Sequence, residues 1–528
     1  MNLRLTSSTV ALIVMAAPAL AEVTAEQVWQ SWIDYYESVG YSVEESARDK
    51  AGDTLTIRDL TVSGGPAEGE VSMSLDRVTL TETGDGKVRS VFSDRVTGMS
   101  KGTDVNGMEF EVPFTIDMPG NAMITSGAPE EMMHEFDYPT MDIALATVTV
   151  DGAETQMDIK MGIVNTTGRM RTIAGPPAKY DYSMTSDRVT LTGDMAPTEG
   201  ESITLDLNLS GLEASGEMSV SGDIDINADI NGALKSGMEM EGRLTSGPVT
   251  GTLDYTAADP EGNPQAGSGS YDGKGFELSF AMSQEGVSYR GSSDAFAANM
   301  SGGTLPFPIE YAAESAGFDL QFPVMVSDEP QPFKLSYLLD GLTIGDAIWE
   351  IFDATGKLPR DPASLSLDIT GLLKVNADLL DPASMMPPMP MPEDAPMPGD
   401  AATDGTGDMA DDMDAAMPEP ITPVEVAINR VALSMLGARI DADGKLMAPE
   451  GGDLTSTPTG QLNVTYEGVN GLIDTLASMG LIPEEQLMST RMMLAMFAKP
   501  AAEGEDKLET RLEFKEDGSV FANGQQVK

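Results

Sequence analysis

The sequence predicts a mainly β protein: a long antiparallel meander of hairpins curled into a groove, a sandwich or an incomplete barrel. A few short amphipathic helices are expected at the N-terminus and in the C-terminal half. Three observations carry this reading. Apolar and polar residues alternate through most of the chain, as in Ile203-Thr204-Leu205-Asp206-Leu207-Asn208-Leu209, and a period of two sends successive side chains to opposite faces of a strand. Turn-forming dipeptides punctuate the alternating runs. Helical spacing is confined to short blocks.

Taken in order, the first 21 residues read as a leader. Arg4 supplies positive charge, Val10-Ala11-Leu12-Ile13-Val14-Met15 a short apolar core, and Ala19-Leu20-Ala21 a cleavage site before Glu22. The apolar run is far short of the roughly 20 residues that span a bilayer. Cleavage after Ala21 and a periplasmic location are therefore expected. The chain has no cysteine, so stability must come from burial and backbone pairing rather than disulfides. It carries 31 Lys and Arg against 85 Asp and Glu, a formal net charge of −54. Such a surface repels phosphate backbones and anionic headgroups, which argues against nucleic acid as a partner.

Residues 22–380 are expected to hold one helix followed by an extended sheet. Thr24 and Gln27 form a capping box, and Val28, Trp32, Tyr35, Tyr36 and Val39 follow at helical spacing as far as Gly40. The period then becomes two. Val71, Met73 and Leu75 alternate with polar residues, as do Met157, Ile159, Met161 and Ile163, and then Ile224, Ile226, Ala228 and Ile230. Asn106-Gly107, Asn231-Gly232, Asp85-Gly86, Asp151-Gly152, Asp272-Gly273, Asp443-Gly444 and Asp517-Gly518 are read as hairpin turns. A short echo recurs: Asp76-Arg77-Val78-Thr79-Leu80, Asp94-Arg95-Val96-Thr97, Asp187-Arg188-Val189-Thr190-Leu191 and Asn429-Arg430-Val431-Ala432-Leu433, a hint of duplicated hairpin units.

Thr343 and Asp346 open a second helix, with Ile344, Ala347, Ile348, Ile351 and Phe352 on one face. Residues 381–423 lose all periodicity to Pro, Met, Asp and Ala, and read as a disordered insertion. Its methionines could suit a soft metal ion, but dense aspartates without His or Cys read as a solvated acidic tract. Residues 424–528 are expected to continue the same sheet. They carry one helix through Leu472, Ile473, Leu476 and Met479, and another starting at Pro483 through Leu487, Met488, Met492, Leu494, Met496 and Phe497.

No constellation for chemistry emerges. Asn227-Ala228-Asp229-Ile230-Asn231-Gly232 resembles the start of a calcium loop, but its twelfth position is Met238 where a bidentate glutamate is required, so the segment reads as a strand ending in a turn. His134, the single histidine, sits in Glu130-Glu131-Met132-Met133-His134-Glu135 and reads as a surface residue. There is no nucleophile elbow, Walker loop, dinucleotide fingerprint or zinc spacing. The expectation is a protein that is not an enzyme, with no catalytic residue, no cofactor and no metal.

The Val28-Trp29-Gln30-Ser31-Trp32 helix, Leu358-Pro359-Arg360-Asp361-Pro362-Ala363-Ser364-Leu365, and the segment from Asp517-Gly518 to Asn523-Gly524 together resemble an exported Gram-negative family called domain of unknown function 2125. The resemblance runs along the mature chain outside the acidic insertion. It implies architecture and no established activity. More loosely, the hairpin-built sheet is similar to the AsmA-like envelope proteins, which implies lipid handling.

A long sheet with one apolar face must cover it with helices, with a second sheet, by curling, or with a guest, and few helices are expected here. Burying ten acyl methylenes would yield roughly 8 kcal/mol before ordering costs. The candidate apolar face is Ile203, Leu205, Leu207, Leu209, Ile224, Ile226 and Ile230. The expected partner is a lipid or another apolar ligand, held without catalysis. The alternative is a structural or docking component of the cell envelope that binds another envelope protein and no ligand.

Overall fold

The computed structural model describes residues 22–528 apart from 39, 66–68, 104–106, 197–199, 222–225, 227–228, 260–261, 304, 382–418, 450–451 and 502–505. The expected leader, and the expected insertion from residue 382 to 418, lie outside the described residues.

The chain is mainly β, a single large sheet of antiparallel hairpins with a few short helices. It is neither a regular barrel nor a sandwich. Its longest strands, Glu131–Val150, Ala153–Ile173, Ala178–Met195 and Ser202–Val220, pair in succession. On either side of them the ribbon continues through shorter strands laid end to end. Ser202–Val220, for example, pairs with both Glu239–Ser246 and Val249–Ala258. Val375 pairs with Ile421, so the chain re-enters the same sheet beside the strand it left.

Cross-strand partners share a face, and following them shows how completely the two faces are sorted. From Leu205 one row runs through Gly193, Ile159, Leu145 and Phe114 in one direction, and through Leu253, Gly269, Met300 and Ile309 in the other. The adjacent row on the opposite face runs from Asp206 to Thr192 and Lys160, and to Thr252, Ser270, Asn299 and Glu310. The polar face is stitched by ion pairs such as Arg290–Asp319 at 3.0 Å and Lys334–Asp319 at 2.8 Å. Their cations reach solvent, whereas the Asp319 side chain they share is only 14% exposed.

A crease divides the sheet into two leaves. In Ser202–Val220 the inward residues are Ile203, Leu205, Leu207 and Leu209 on one leaf, then Leu212, Ala214, Gly216 and Met218 on the other, so the phase slips by one residue at Ser210-Gly211. Gly211 has φ +66°, and other strands of the sheet also carry a left-handed residue within them, Asn165 at φ +54° and Asp59 at φ +47°. An extra residue resets the alternation and bends the strand, which keeps the apolar side chains of both leaves on the inside of the fold.

The echo found in the sequence marks this line. Asp76-Arg77 lies where Gly69–Glu82 changes partner, from Leu75 paired with Val96 to Val78 paired with Phe92, and Asp94 occupies the break between the two partner strands. Asp187 lies opposite Gly211, and its carboxylate accepts a hydrogen bond from Asn165 Nδ2 at 2.7 Å. Asn429 is the extra residue between the Asp368–Arg430 and Ile369–Ile428 pairs, and its amide donates to Thr370 Oγ1 at 3.0 Å. The repeat therefore signals a bend within strands rather than duplicated hairpins.

Helix α1, Ala25–Ser38, starts with the expected capping box: Thr24 N donates to Gln27 Oε1 at 2.9 Å and Gln27 N to Thr24 Oγ1 at 3.3 Å. It packs Val28 and Trp29 on Leu55, Ile57, Leu60, Val62, Val78 and Leu80. Each such side chain, fully buried, contributes about 1.5–3 kcal/mol. Helix α2 spans Ile230–Lys235, α3 Asp346–Phe352, α4 Val469–Ser478 and α5 Glu484–Phe497.

Several local expectations are corrected. Ile230 begins α2 rather than ending a strand, because Asp229 caps it by accepting from Gly232 N at 2.7 Å, and Asn231-Gly232 lies inside the helix. Ile226 and Ile230 pack with Leu234, Met238 and Met282, and Ile224 and Ala228 lie outside the described residues. The residues at 226 and 230 fit helical spacing as well as alternation, and the cap decides. Asp378 ties α2 down by accepting from Lys235 Nζ at 2.7 Å and Val326 N at 2.8 Å. Asp85-Gly86, Asp151-Gly152 and Asp517-Gly518 do close hairpins, whereas Asp272-Gly273 ends a strand at the crease and Asp443-Gly444 lies within Ala438–Met447. Helix α3 is capped by Gly345 with no side-chain bond, and Thr343 belongs to the preceding strand.

Candidate functional site

The inside of the crease is an apolar trough. Ile203, Leu205, Leu207 and Leu209 all lie on its wall, half-buried and without a covering layer of side chains dense enough to bury them. On the other leaf the row from Gly216 runs through Gly242, Phe280, Tyr289, Leu320, Leu335 and Ile369. Several large apolar side chains stay exposed on this inner face: Tyr289 is 48% exposed, Met300 46% and Leu278 43%. Every strand tyrosine among the described residues faces inward, including Tyr182, Tyr271, Tyr289, Tyr311 and Tyr337, all exposed. A tyrosine has an apolar body and a polar tip, which suits a surface that is apolar to a guest and wet when empty.

Near α1 the trough closes into a chamber of about 600 Å³. Leu60, Val62 and Met73 from one leaf and Met132, Met170 and Tyr180 from the other line it, roofed by Trp29, Trp32 and Ile33 of α1. That volume lies within the usual range for small-molecule sites. No Lys or Arg is among its lining residues, and its carboxylate, Asp34, sits on an exposed position of α1.

His134 is part of this chamber, not of the surface. It lies on Glu131–Val150, where Met132, His134 and Phe136 point inward while Glu131 and Glu135 point out, and it is 1% exposed. The acidic neighbours that suggested a surface residue are simply the other face of a strand. Its Nδ1 is 2.8 Å from Thr125 Oγ1, and its ring is 6.4 Å from that of Trp32. Burial brings its pKa down to about 4 and pushes the Tyr138 hydroxyl, also in the lining, up to about 12. Both are neutral near pH 7.

A second concavity, about 750 Å³, is lined by Arg169, Arg171, Arg243 and Arg290 together with Asp181, Glu217, Glu241 and Asp319. Four cations face four carboxylates, so it offers no net charge for an anion. Helix α5 turns Met488, Met492, Met493 and Met496 outward. Among the described residues no helix is long and apolar enough to cross a membrane, and no group of three His, Cys, Asp or Glu could hold a metal ion.

Residues 271–527 match the family described as "Uncharacterized protein conserved in bacteria (DUF2125)". The DUF2125 match takes in the open stretch of the trough from Tyr271 onward, Leu358–Leu365 and Asp517-Gly518. It leaves α1, with Val28-Trp29-Gln30-Ser31-Trp32, and the chamber outside, so it is narrower than the resemblance read from the sequence. No curated protein and no solved structure matches the chain.

Proposed function

We propose that the protein, exported to the periplasm, holds a lipid or another long apolar ligand along the inside of its creased sheet and performs no catalysis on it. The observation that carries this reading is the continuous inner face of half-buried aliphatic and exposed aromatic residues, from the chamber under α1 to the strand Ala363–Val375. Large contiguous apolar exposure is uncommon on soluble proteins and usually marks a binding surface. The polar face, by contrast, is sorted and ion-paired as a solvated exterior. Because the trough lacks a cationic rim in the chamber, affinity comes from the tail of the guest.

The test is extraction of the purified chain with organic solvent and identification of bound molecules by mass spectrometry. Lipid at a fixed stoichiometry is expected. A preparation free of lipid, which also takes up no fatty alcohol when one is offered, sinks the reading. The outward methionines of α5 favour a second reading, an envelope docking component, and a protein that co-purifies through that helix would support it.

A further inference from the structure

The chamber under α1 is dense in aromatic rings. Seven of its lining residues are Trp, Tyr or Phe, in a chain that is 6% aromatic. They come from opposite sides: Trp32, Tyr35 and Tyr36 from α1, Tyr138 from Glu131–Val150 and Tyr180 from Ala178–Met195. The Tyr35 ring meets that of Tyr36 at 5.6 Å and 69°, and that of Tyr180 at 5.7 Å and 61°. Neighbouring rings thus stand across one another and face different directions, as the walls of a cage do. Their surface is open to a guest, since Tyr35 is 37% exposed, Tyr36 36%, and Tyr180 half-buried.

Charge selects what that guest can be. No Lys or Arg lines the chamber, burial keeps His134 uncharged, and the carboxylate at its edge is Asp34. An anion would enter without a counter-charge. A cation is drawn by the negative faces of the rings and by a chain of net charge −54. A primary ammonium holds its water strongly. A quaternary ammonium wraps its charge in methyl groups, which suits a space that is both aromatic and apolar.

We propose that this chamber is a binding site for a quaternary ammonium group of the choline type, held over the faces of Trp32, Tyr35, Tyr36 and Tyr180. The group belongs either to a lipid headgroup or to a small free solute. The seat goes beyond the reading of the trough and does not require a tail to lie there.

The experiment titrates the full delipidated chain with choline, with its uncharged carbon isostere 3,3-dimethylbutan-1-ol, and with ethanolamine, at pH 7 in about 0.15 M salt so that diffuse attraction is screened. Tryptophan emission reads binding, since Trp29 and Trp32 line the chamber and Trp349 lies in α3. Choline is expected to bind about tenfold more tightly than either comparison compound. Tyr180→Leu should weaken choline about three- to tenfold, and Tyr180→Phe, which keeps the ring, should restore it. Ethanolamine as tight as choline would assign the binding to net charge, and the isostere as tight as choline would assign it to apolar contact. Either result overturns the proposal without any variant, as does the absence of choline binding. Dodecyltrimethylammonium below its micelle concentration tells the sources apart. A large gain over choline assigns the seat to a lipid headgroup with its tail in the trough, whereas no gain assigns it to a free solute and counts against the trough alone.

Discussion

The Phe318 ring lies over Gly291 on the neighbouring strand, so close that a Cβ on Gly291 would stand 2.4 Å from Phe318 Cε1. The same cross-strand arrangement recurs at Gly98 with Phe114, Gly168 with Phe136, Gly216 with Tyr182, Gly267 with Tyr255 and Gly371 with Phe333, always on the inner face. A glycine would ordinarily weaken a strand. Here it lets a ring settle onto the sheet instead of standing up into the trough, so the floor stays apolar while the space above remains open.

Gly291→Ala is therefore expected to lift the Phe318 ring and destabilise the protein by about 1–3 kcal/mol, as overpacking does. Gly291 does not need a positive φ, so backbone strain does not contribute. Urea denaturation measures the loss, and an unchanged midpoint would show that the ring is free to move aside. Gly291→Leu should in addition lower the amount of lipid bound per chain.

Placing charge inside the trough should remove the guest while sparing the fold. Tyr289 is half-exposed on the inner face, and Tyr289→Glu is expected to lower bound lipid by about half or more, because an acyl chain would have to desolvate the carboxylate. Thr250→Glu puts the same charge on the outer face, where Thr250 pairs with Asn208 and is exposed. It should leave bound lipid as it was. Equal loss in both variants would assign the effect to net charge rather than to the groove.

Much of this architecture is written in the sequence, and the part that is not has a physical cause. Alternation identifies the inner wall at Ile203 to Leu209, and Thr24 with Gln27 places the start of α1, because both signals are local. The crease is invisible to a reader who looks only for alternation, since it consists of a lapse in it: Leu75-Asp76-Arg77-Val78 and Leu209-Ser210-Gly211-Leu212 put two small or polar residues where one would keep phase. The echo of Asp-Arg pairs was legible, but its meaning depends on partner strands far away in the chain. His134 was missed because glutamates on the outer face masked an inward row of Met132, His134 and Phe136.

Acid should weaken the fold through His134. Burial holds its pKa at about 4, against an ordinary value of 6.5, so between these limits the unfolded chain binds a proton that the folded chain refuses. Stability therefore rises with pH through this window and is lost as pH falls from 6.5 toward 4, by up to about 3 kcal/mol. His134→Gln keeps a neutral partner for Thr125 and should flatten that part of the profile in denaturation measured from pH 7 to 4. A variant with the natural slope would place the acid sensitivity in the carboxylates.

Asn165 tests the crease itself. Its φ of +54° is a left-handed conformation, and its amide holds the Asp187 carboxylate at 2.7 Å across the bend. Asparagine tolerates that conformation, glycine adopts it freely, and a β-branched residue pays about 1–2 kcal/mol or more to enter it. Asn165→Gly should thus lose only the exposed hydrogen bond, a few tenths to about 1 kcal/mol, whereas Asn165→Val loses the bond and strains the backbone. Relief of that strain would return the strand to regular alternation and turn Thr166, Gly168 and Met170 toward the polar face, since one residue of slip moves every following side chain to the other side. Denaturation midpoints in the order natural chain, glycine, valine, with lipid binding reduced for valine alone, are expected. Valine as stable as glycine would mean that the bend is imposed by the neighbouring strands and that the kinked residues merely follow.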